Sequence, residues 1–396
     1  MECKKYWRLI QPKFIRGLQC KTSWRLLLLG CLVPVTLYTI NCYISPTAED
    51  GKTKWISHKR ELSTNQTQYL QKGEPVNHIA FIKVPKAAST TVQNIFLRYG
   101  YENDLEFALP KLRPAGGDSL TARYFYAPLN KKFFDITCTH IRYDKEQFHR
   151  VLPDDTAYIG TVREPFSRFR SFVRFIRPKS VLDIPGNDPV LKYLSREKEF
   201  RTRTGEHIIN CNGMAWYFGF PYELYLTRNH HLIDDYLLQL DKEFDIILVM
   251  EFLDESIVLM RRILNWDLRH VLYAKLRVNK LEDTRLVFGT TEETLYKRCG
   301  YLDYRLYDYF LNKLKEKIKR QLPDFNDEVA YFRKTRAKYD DFCLSSLSED
   351  LKNAVMTFEG SPWNAPFVIT SEDCKKLYIH DVEFLQKIQE KQFSSY

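Results

Sequence analysis

The segment 85–91, with the sequence PKAASTT, combines a positive charge and hydroxyl groups in a short stretch. The run HIAFIKV before it predicts a buried strand, and TVQNIFLRYG after it predicts an amphipathic helix that ends at Gly100. Backbone N–H groups at a helix start, the helix dipole and a lysine favour a bound phosphate. An ordinary helix start capped by a hydroxyl is the alternative. The predicted anion loop comprises Lys86, Ala87, Ala88, Ser89, Thr90 and Thr91.

The segment 163–171, with the sequence REPFSRFRS, repeats this arrangement further along the chain. It follows the buried-strand pattern TAYIGTV, and Pro165 suits the first turn of a helix. Arg163 and Ser171 lie about two helical turns apart and could share one anion. Two anion sites, each placed after a strand, indicate a ligand that carries phosphate groups at two ends.

These two segments resemble the paired signatures of sulfotransferases that use 3′-phosphoadenosine 5′-phosphosulfate, in which the first loop holds the 5′-phosphosulfate and the second holds the 3′-phosphate. Together with LVMEFLDESIVLMRRILNWDL and LDYRLYDYF, the sequence resembles the Golgi galactose 3-O-sulfotransferases over residues 76–320. The resemblance implies a P-loop kinase-like sulfotransferase fold, an α/β protein with a mostly parallel sheet flanked by helices. One position departs from the family pattern: Pro85 stands where we expect a histidine.

A general base for an acceptor hydroxyl is expected at the end of another strand. The run FFDITCT at 133–139 reads as a strand, so His140 follows it at the edge where open α/β sheets bind ligands. A histidine titrates near neutral pH, as a general base should. The resemblance adds that a histidine follows this strand in related carbohydrate sulfotransferases and that Lys86 acts on the leaving group. A packing role for His140 is the alternative, and Glu146 is then the next candidate base.

Three further side chains are expected to lie near the acceptor. Arg142 and Tyr143 follow His140 directly, and Trp216 lies in the segment NCNGMAWYFGF. Aromatic faces stack on sugar rings, although packing in the core explains Trp216 equally well. The segment FDIILVM and the helix after it, with Asp254 as N-cap, are read as scaffold.

The positive charge of the chain is concentrated at its N-terminus. Of the formal net charge of +10, residues 1–25 carry seven basic side chains against one acidic, so the remainder is nearly balanced and no nucleic-acid partner is expected. An uncharged run at 26–44 is about long enough to span a membrane once, and the basic residues before it predict a cytosolic N-terminus. A cleaved signal peptide is the alternative. The prediction is a type II Golgi membrane protein with a lumenal stem at 45–75 and a glycosylation sequon at Asn65.

Five of the nine cysteines lie beyond the predicted span, namely Cys138, Cys211, Cys299, Cys343 and Cys374. An odd number allows two disulfides at most within one chain and leaves one thiol free or paired with a second copy in a homodimer. Because no cluster has the spacing of zinc ligands, no metal is expected.

The sequence therefore predicts a catalytic domain at 76–345 and a C-terminal helical extension at 346–396. The implied reaction is transfer of a sulfuryl group to a glycan or glycolipid, with the 3-hydroxyl of terminal β-galactose as acceptor. A glycosaminoglycan sulfotransferase and a non-catalytic glycan-binding or assembly subunit remain the alternatives. The nearly balanced charge argues against the first, and the retained set of Lys86, Ser89, Arg163 and Ser171 argues against the second.

Overall fold

The computed structural model describes residues 73–109, 125, 128, 131–196, 205–274, 283–321, 323–348 and 353–393. The predicted cytosolic tail, membrane span and glycosylation sequon lie outside these residues. Within the described ranges, no helix has both the length and the apolar composition that crossing a membrane requires.

A parallel sheet of apolar strands forms the centre of the described part. Its strands run in the order β2-β1-β3-β4, each pair of neighbours being parallel. Every residue of these strands is buried, which is typical of parallel sheets covered on both faces. This arrangement confirms the predicted α/β fold class. The strands are β1 (Ile79–Ile82), β2 (Ile136–Thr137), β3 (Ala157–Val162) and β4 (Ile246–Val249).

Helices flank this sheet and connect its strands. The described helices are α1 (Ser89–Glu102), α2 (Lys145–Val151), α3 (Pro165–Ile176), α4 (Lys179–Leu182), α5 (Pro189–Ser195), α6 (Gly205–Tyr217), α7 (Tyr222–Thr227), α8 (His230–Glu243), α9 (Leu253–Leu264), α10 (Leu268–Val271), α11 (Thr290–Cys299), α12 (Tyr301–Lys319), α13 (Phe325–Ser345), α14 (Ser371–Tyr378) and α15 (Asp381–Phe393). A 3₁₀ turn, Met250–Phe252, leads from β4 into α9. The four predicted strands all form, although β2 is shorter than the sequence pattern suggested.

Two predicted helix boundaries were wrong. Helix α1 continues past Gly100 to Glu102, and Gly100 is needed inside it because an added Cβ would lie 2.4 Å from the ring of Phe107. Asp254 lies in the first turn of α9 rather than at its N-cap, and its carboxylate accepts a hydrogen bond from the Tyr273 hydroxyl. Tertiary contacts explain both residues better than local helix signals do.

The segment at 346–396 is more than a helical extension. It contains an antiparallel pair, β5 (Val355–Phe358) and β6 (Phe367–Thr370), before α14 and α15. Phe384 and Ile388 of α15 are buried in the same hydrophobic cluster as the central sheet. Helix α15 also packs against α1, and Gln392 exchanges hydrogen bonds with the backbone of Phe107. The C-terminal helices are therefore part of the core that supports the first anion loop.

The five cysteines that lie within the described ranges form two disulfides, the largest number that an odd count of five allows. Cys211 bonds to Cys299 and Cys343 bonds to Cys374, while the thiol of Cys138 is free. The first bridge joins α6 to the end of α11, and the second joins α13 to α14. Cys138 is completely buried, so it offers no surface to a disulfide with a second chain.

Candidate active site

The carboxyl ends of the four parallel strands meet at one edge of the sheet, where α/β proteins bind their ligands. The first anion loop follows β1, His140 follows β2 and Arg163 follows β3. The parallel sheet therefore brings the predicted site residues to a common edge, although they are widely separated in the chain.

The loop between β1 and α1 has a backbone conformation suited to an anion. Lys86 and Ala88 have φ values of 68° and 59°, a left-handed conformation that residues other than glycine rarely adopt. Ala88 is the N-cap of α1 and provides no side-chain cap, and the first turn of this helix contains no acidic residue. The first bond within the helix runs from the Val92 N–H to the Ala88 carbonyl. The helix supplies no partners for the three preceding N–H groups, those of Ser89, Thr90 and Thr91.

Ser89 and Thr90 do not cap α1, so the alternative of an ordinary capped helix start does not hold. Backbone strain in such a loop is a reason to look for function there. Successive N–H groups in this conformation form a concave site for phosphate or sulfate. The loop can therefore bind an anion through its backbone, with Lys86 adding a positive charge.

The Lys86 side chain is half-buried and lies against an aromatic ring. Its Nζ is 3.6 Å from the centre of the Phe175 ring, which belongs to α3 and is 52% exposed. Burial, together with the positive charge of Arg163, lowers the pKa of Lys86 to about 8. Among the described residues, no carboxylate lies within ion-pair distance of this ammonium. Its charge is therefore available to a ligand near neutral pH.

Arg163 joins the second anion segment to the first. Its Nη1 donates to the backbone carbonyl of Lys86 at 3.1 Å. Burial lowers the pKa of Arg163, and its buried Nε has no hydrogen-bond partner among the described residues. A buried donor without a partner is costly, and a bound anion would satisfy it.

Ser171 lies on α3, where it is half-buried. It precedes Phe175 by one helical turn, so the two side chains occupy the same face of the helix. Because Phe175 contacts Lys86, this face is directed to the first loop. Sequence reasoning missed Phe175. The available signal was its spacing of four residues from Ser171, which places both side chains on one face of a helix.

Arg168, the second arginine of this segment, has a structural role. It is 1% exposed, and its Nη2 donates to the carbonyls of Ile209 and Asn210. Its Nε lies 3.4 Å from a carboxylate oxygen of Asp303, which also accepts hydrogen bonds from backbone N–H groups of α6. Burial raises the pKa of Asp303 to about 6 despite the neighbouring guanidinium. Arg168 therefore connects α3, α6 and α12.

His140 is half-buried just beyond β2, and its Nδ1 lies 2.8 Å from the carbonyl oxygen of Lys83. A carbonyl only accepts hydrogen bonds, so Nδ1 carries the proton and Nε2 keeps a free lone pair. Burial, reinforced by the positive charge of Lys83, lowers the pKa of His140 to about 3. The expectation of titration near neutral pH was wrong, because this environment disfavours the imidazolium. The ring is neutral and in the tautomer that a general base requires.

The three predicted acceptor residues occupy different environments. Arg142 donates to the carbonyls that end α6, at Trp216, Gly219 and Phe220, with its guanidinium 4.5 Å from the centre of the Trp216 ring. Trp216 is half-buried, and its Nε1 has no hydrogen-bond partner within the described ranges. Tyr143 is 3% exposed. Its hydroxyl donates to the carboxylate of Glu243.

Glu146, the alternative base, lies at the start of α2, and Lys83 forms an ion pair that the sequence did not suggest. The Glu146 side chain is 82% exposed in the first turn of α2 and lies 3.8 Å from Arg150. Sequence reasoning missed Lys83, which is buried and paired with Asp381 of the C-terminal helix. A lysine in a buried strand pattern requires a partner, and this was the available signal for Lys83. Nothing in the local sequence marked Asp381.

The fold and the site define a class: an α/β protein in which two linked segments of basic and hydroxyl residues and a histidine meet at the carboxyl edge of a parallel sheet. Among the described residues, no group of three or more His, Cys, Asp or Glu side chains could hold a metal ion. The hydrogen-bond donors at this edge, which are the N–H groups at the start of α1, Lys86 and Arg163, are suited to phosphate and sulfate groups.

Comparison with known proteins identifies the family. The family model described as galactose-3-O-sulfotransferase matches residues 12–365, and the chain belongs to this family. Human galactose-3-O-sulfotransferase 2 is 29% identical over 293 residues, which cover 72% of this chain and 72% of that protein. Mouse galactosylceramide sulfotransferase is 24% identical over 365 residues, 87% of this chain and 84% of that protein. Mouse galactose-3-O-sulfotransferase 3 is 31% identical over 242 residues, 59% and 55% of the two chains. The resemblance found in the sequence is thereby confirmed, and sulfuryl transfer is the class of reaction that it supports.

Proposed function

We propose that the protein transfers a sulfuryl group from 3′-phosphoadenosine 5′-phosphosulfate to a hydroxyl group of a glycan. The acceptor is the 3-hydroxyl of terminal β-galactose on a glycolipid or glycoprotein. The observation that carries the proposal is the hydrogen bond from Arg163 to the Lys86 carbonyl, which joins two anion-binding segments into one site. Family membership supports the same reaction.

The donor fits the free hydrogen-bond donors of this site. The N–H groups at the start of α1, with the Ser89, Thr90 and Thr91 hydroxyls and Lys86, bind the phosphosulfate end, as the strained loop with its uncapped helix indicates. Arg163, whose Nε lacks a partner in the described part of the chain, and Ser171 bind the 3′-phosphate. The bound donor supplies the sulfuryl group and the phosphate that leaves.

His140 accepts the proton of the acceptor hydroxyl at Nε2, while its Nδ1–H remains bonded to the Lys83 carbonyl. The deprotonating oxygen forms its bond to sulfur as the bond from sulfur to the phosphate oxygen breaks. Lys86 stabilises the negative charge that grows on that phosphate. Negative charge bound beside His140 favours the imidazolium, which opposes the effect of burial once the site is filled.

The acceptor is proposed to contact Trp216, whose Nε1 has no partner within the described ranges. Arg142 supports this surface because it holds the end of α6 through three carbonyls. Tyr143 is buried and bonded to Glu243, so we assign it to packing rather than to acceptor contact.

The proposal is tested by measuring transfer of radiolabelled sulfate to a panel of acceptors. We expect incorporation into terminal β-galactosides and none into the matching 3-deoxygalactosides or into glycosaminoglycan chains. Incorporation into glycosaminoglycans alone would support the alternative acceptor class. Tight binding of the desulfated nucleotide without transfer to any acceptor would support a non-catalytic subunit.

The role of His140 is tested with His140→Ala, for which we expect turnover to fall about 100- to 10,000-fold while nucleotide binding is retained. Exposed His231 of α8 provides the matched control, and His231→Ala should leave turnover unchanged. The acid limb of kcat/KM in the wild-type protein should lie well below the usual histidine range, because the pKa of His140 is lowered to about 3. A folded His140→Ala protein with near-normal turnover would exclude the base assignment and favour Glu146.

We propose that the protein is a single-pass type II Golgi membrane protein with a lumenal catalytic domain. The uncharged run at 26–44, its basic flank and the sequon at Asn65 support this topology. Protease digestion of intact microsomes should spare the described domain, and a glycosidase should reduce the apparent mass of the wild type but not of Asn65→Gln. Digestion of the domain from the cytosolic side would overturn this topology.

A further inference from the structure

Lys83 contacts both the candidate base and the C-terminal helix. Its backbone carbonyl accepts the hydrogen bond from His140 Nδ1 at 2.8 Å. Its Nζ lies 2.7 Å from Asp381 Oδ2, and its side chain is only 3% exposed. Lys83 therefore links His140, through its backbone carbonyl, to the ion pair that its side chain forms with Asp381.

The burial of Lys83 makes its partner important. An ammonium group taken out of water loses its hydration, and it is tolerated in a protein interior when a carboxylate pairs with it. Asp381 provides that carboxylate from a position 298 residues further along the chain. It lies at the first residue of α15, the helix that packs against α1.

We propose that Asp381 is a positioning residue for His140 that acts through Lys83. By pairing with the buried ammonium, Asp381 fixes the end of β1 and holds the Lys83 carbonyl against Nδ1. The C-terminal helix thereby determines which nitrogen of His140 faces the acceptor. This inference rests on the proposed function, because it assigns a supporting residue to the proposed base.

The charges of Lys83 and Asp381 act in opposite directions on the pKa of His140. Lys83 lowers the pKa of the imidazole, and Asp381 raises it. The nearby Cys138 thiol and the Tyr217 phenol, whose ring centre is 6.0 Å from that of His140, have pKa values raised by burial to about 12, so both are neutral. The net charge behind His140 therefore depends on whether the ion pair is complete.

Within the described ranges, the carboxylate of Asp381 also lies at ion-pair distance from a second histidine, His380. The Nδ1 of His380 lies 3.0 Å from Asp381 Oδ1, and the His380 side chain is 72% exposed. A contact at the surface is expected to contribute little. His380→Gln is therefore the matched control, because it removes a partner of the same carboxylate without exposing Lys83.

The experiment compares four proteins with isotope-labelled histidine: wild type, Asp381→Asn, Lys83→Met and the double variant. Titration of the His140 ring is followed by NMR and its signal is identified by its loss in His140→Ala. We expect Lys83→Met to raise the pKa of His140 by about 1–3 units, the usual effect of a nearby charge, and Asp381→Asn to lower it. The double variant, which lacks both charges, should lie between the two single variants, and His380→Gln should match the wild type.

Activity provides the second readout. Asp381→Asn should lower kcat at least about tenfold, and the double variant should recover most of that loss because no unpaired buried charge remains. If Asp381→Asn does not fold, Lys83→Met and the double variant still give the two titrations that decide the question. The same His140 titration in all folded variants would overturn the proposal. If Lys83→Met and Asp381→Asn shift the pKa of His140 in opposite directions but leave turnover unchanged, Asp381 acts on His140 and His140 is not the base.

Discussion

The two anion segments have similar compositions but use their charges differently. In the β1–α1 loop, Lys86 is half-buried against Phe175, and the backbone N–H groups have no partners from the helix. In the β3–α3 segment, Arg163 is half-buried and donates to the Lys86 carbonyl, whereas Arg168 is 1% exposed among the carbonyls of Ile209 and Asn210 and the carboxylate of Asp303. Two arginines five positions apart therefore have opposite roles.

This difference shows that burial and partners, rather than residue type, determine which charge is available to a ligand. A guanidinium enclosed by protein acceptors and paired with a buried carboxylate stabilises the fold, and one that is partly exposed at the edge of the sheet can bind an anion. Substitutions at Arg168 are therefore expected to affect stability, and substitutions at Lys86 and Arg163 are expected to affect the reaction.

The largest effect is expected for Arg168→Met. Removing this side chain leaves the Asp303 carboxylate buried without its guanidinium, which should lower the free energy of unfolding by about 3–5 kcal/mol. Urea denaturation provides the measurement, and Arg174→Met on the exposed face of α3 should cost at most about 1 kcal/mol. Wild-type stability with weakened nucleotide binding would mean that Arg168 belongs to the anion site instead.

A smaller effect is expected for Lys86→Met, which should reduce turnover about 100- to 1000-fold, the usual loss when one donor to a developing charge is removed. Binding of the desulfated nucleotide should change much less, because the backbone N–H groups of the loop remain. Steady-state kinetics and calorimetry measure the two quantities, with Lys179→Met on exposed Lys179 as the control. Equal losses in binding and turnover would contradict a role specific to the transition state.

Arg163→Ala should mainly weaken binding of the desulfated nucleotide. A charge-assisted contact to phosphate contributes about 1.5–3 kcal/mol, so the dissociation constant should rise about 10- to 150-fold. Calorimetry on Arg163→Ala, with thermal unfolding as a check on folding, tests this expectation. Nucleotide affinity equal to that of the wild type would remove Arg163 from the donor site.

The smallest effect is expected from pH. The pKa of Lys86 is lowered to about 8, so the free protein loses this positive charge as the pH rises through that value, and nucleotide binding should weaken. One proton is involved and the total decline is limited to the loss of affinity expected for Lys86→Met, so affinity should fall by less than about tenfold per pH unit and then level off. Calorimetry at several pH values should show this decline in the wild type and a flat profile in Lys86→Met. The same decline in both proteins would assign it to another group.

Local sequence patterns were sufficient to predict those parts of the site that are formed by residues close together in the chain. The apolar runs predicted all four strands of the sheet, and the basic and hydroxyl residues after two of them predicted the anion segments. Because parallel strands end at one edge, this was enough to expect Lys86, His140 and Arg163 there. Gly100 and Asp254 show the limit of such patterns, since distant contacts rather than helix signals explain both.

The sequence by itself thus determined the fold class, the family and the residues at the edge of the sheet. Tertiary structure decided which of their charges are free, because that depends on groups brought together by folding. The roles of Arg168 and Tyr143 follow from Asp303 and Glu243, which are distant in sequence. The pairing of Lys83 with Asp381 has the same origin: strand and helix periodicity describe neighbours along the chain, whereas the partner of a buried charge is set by packing.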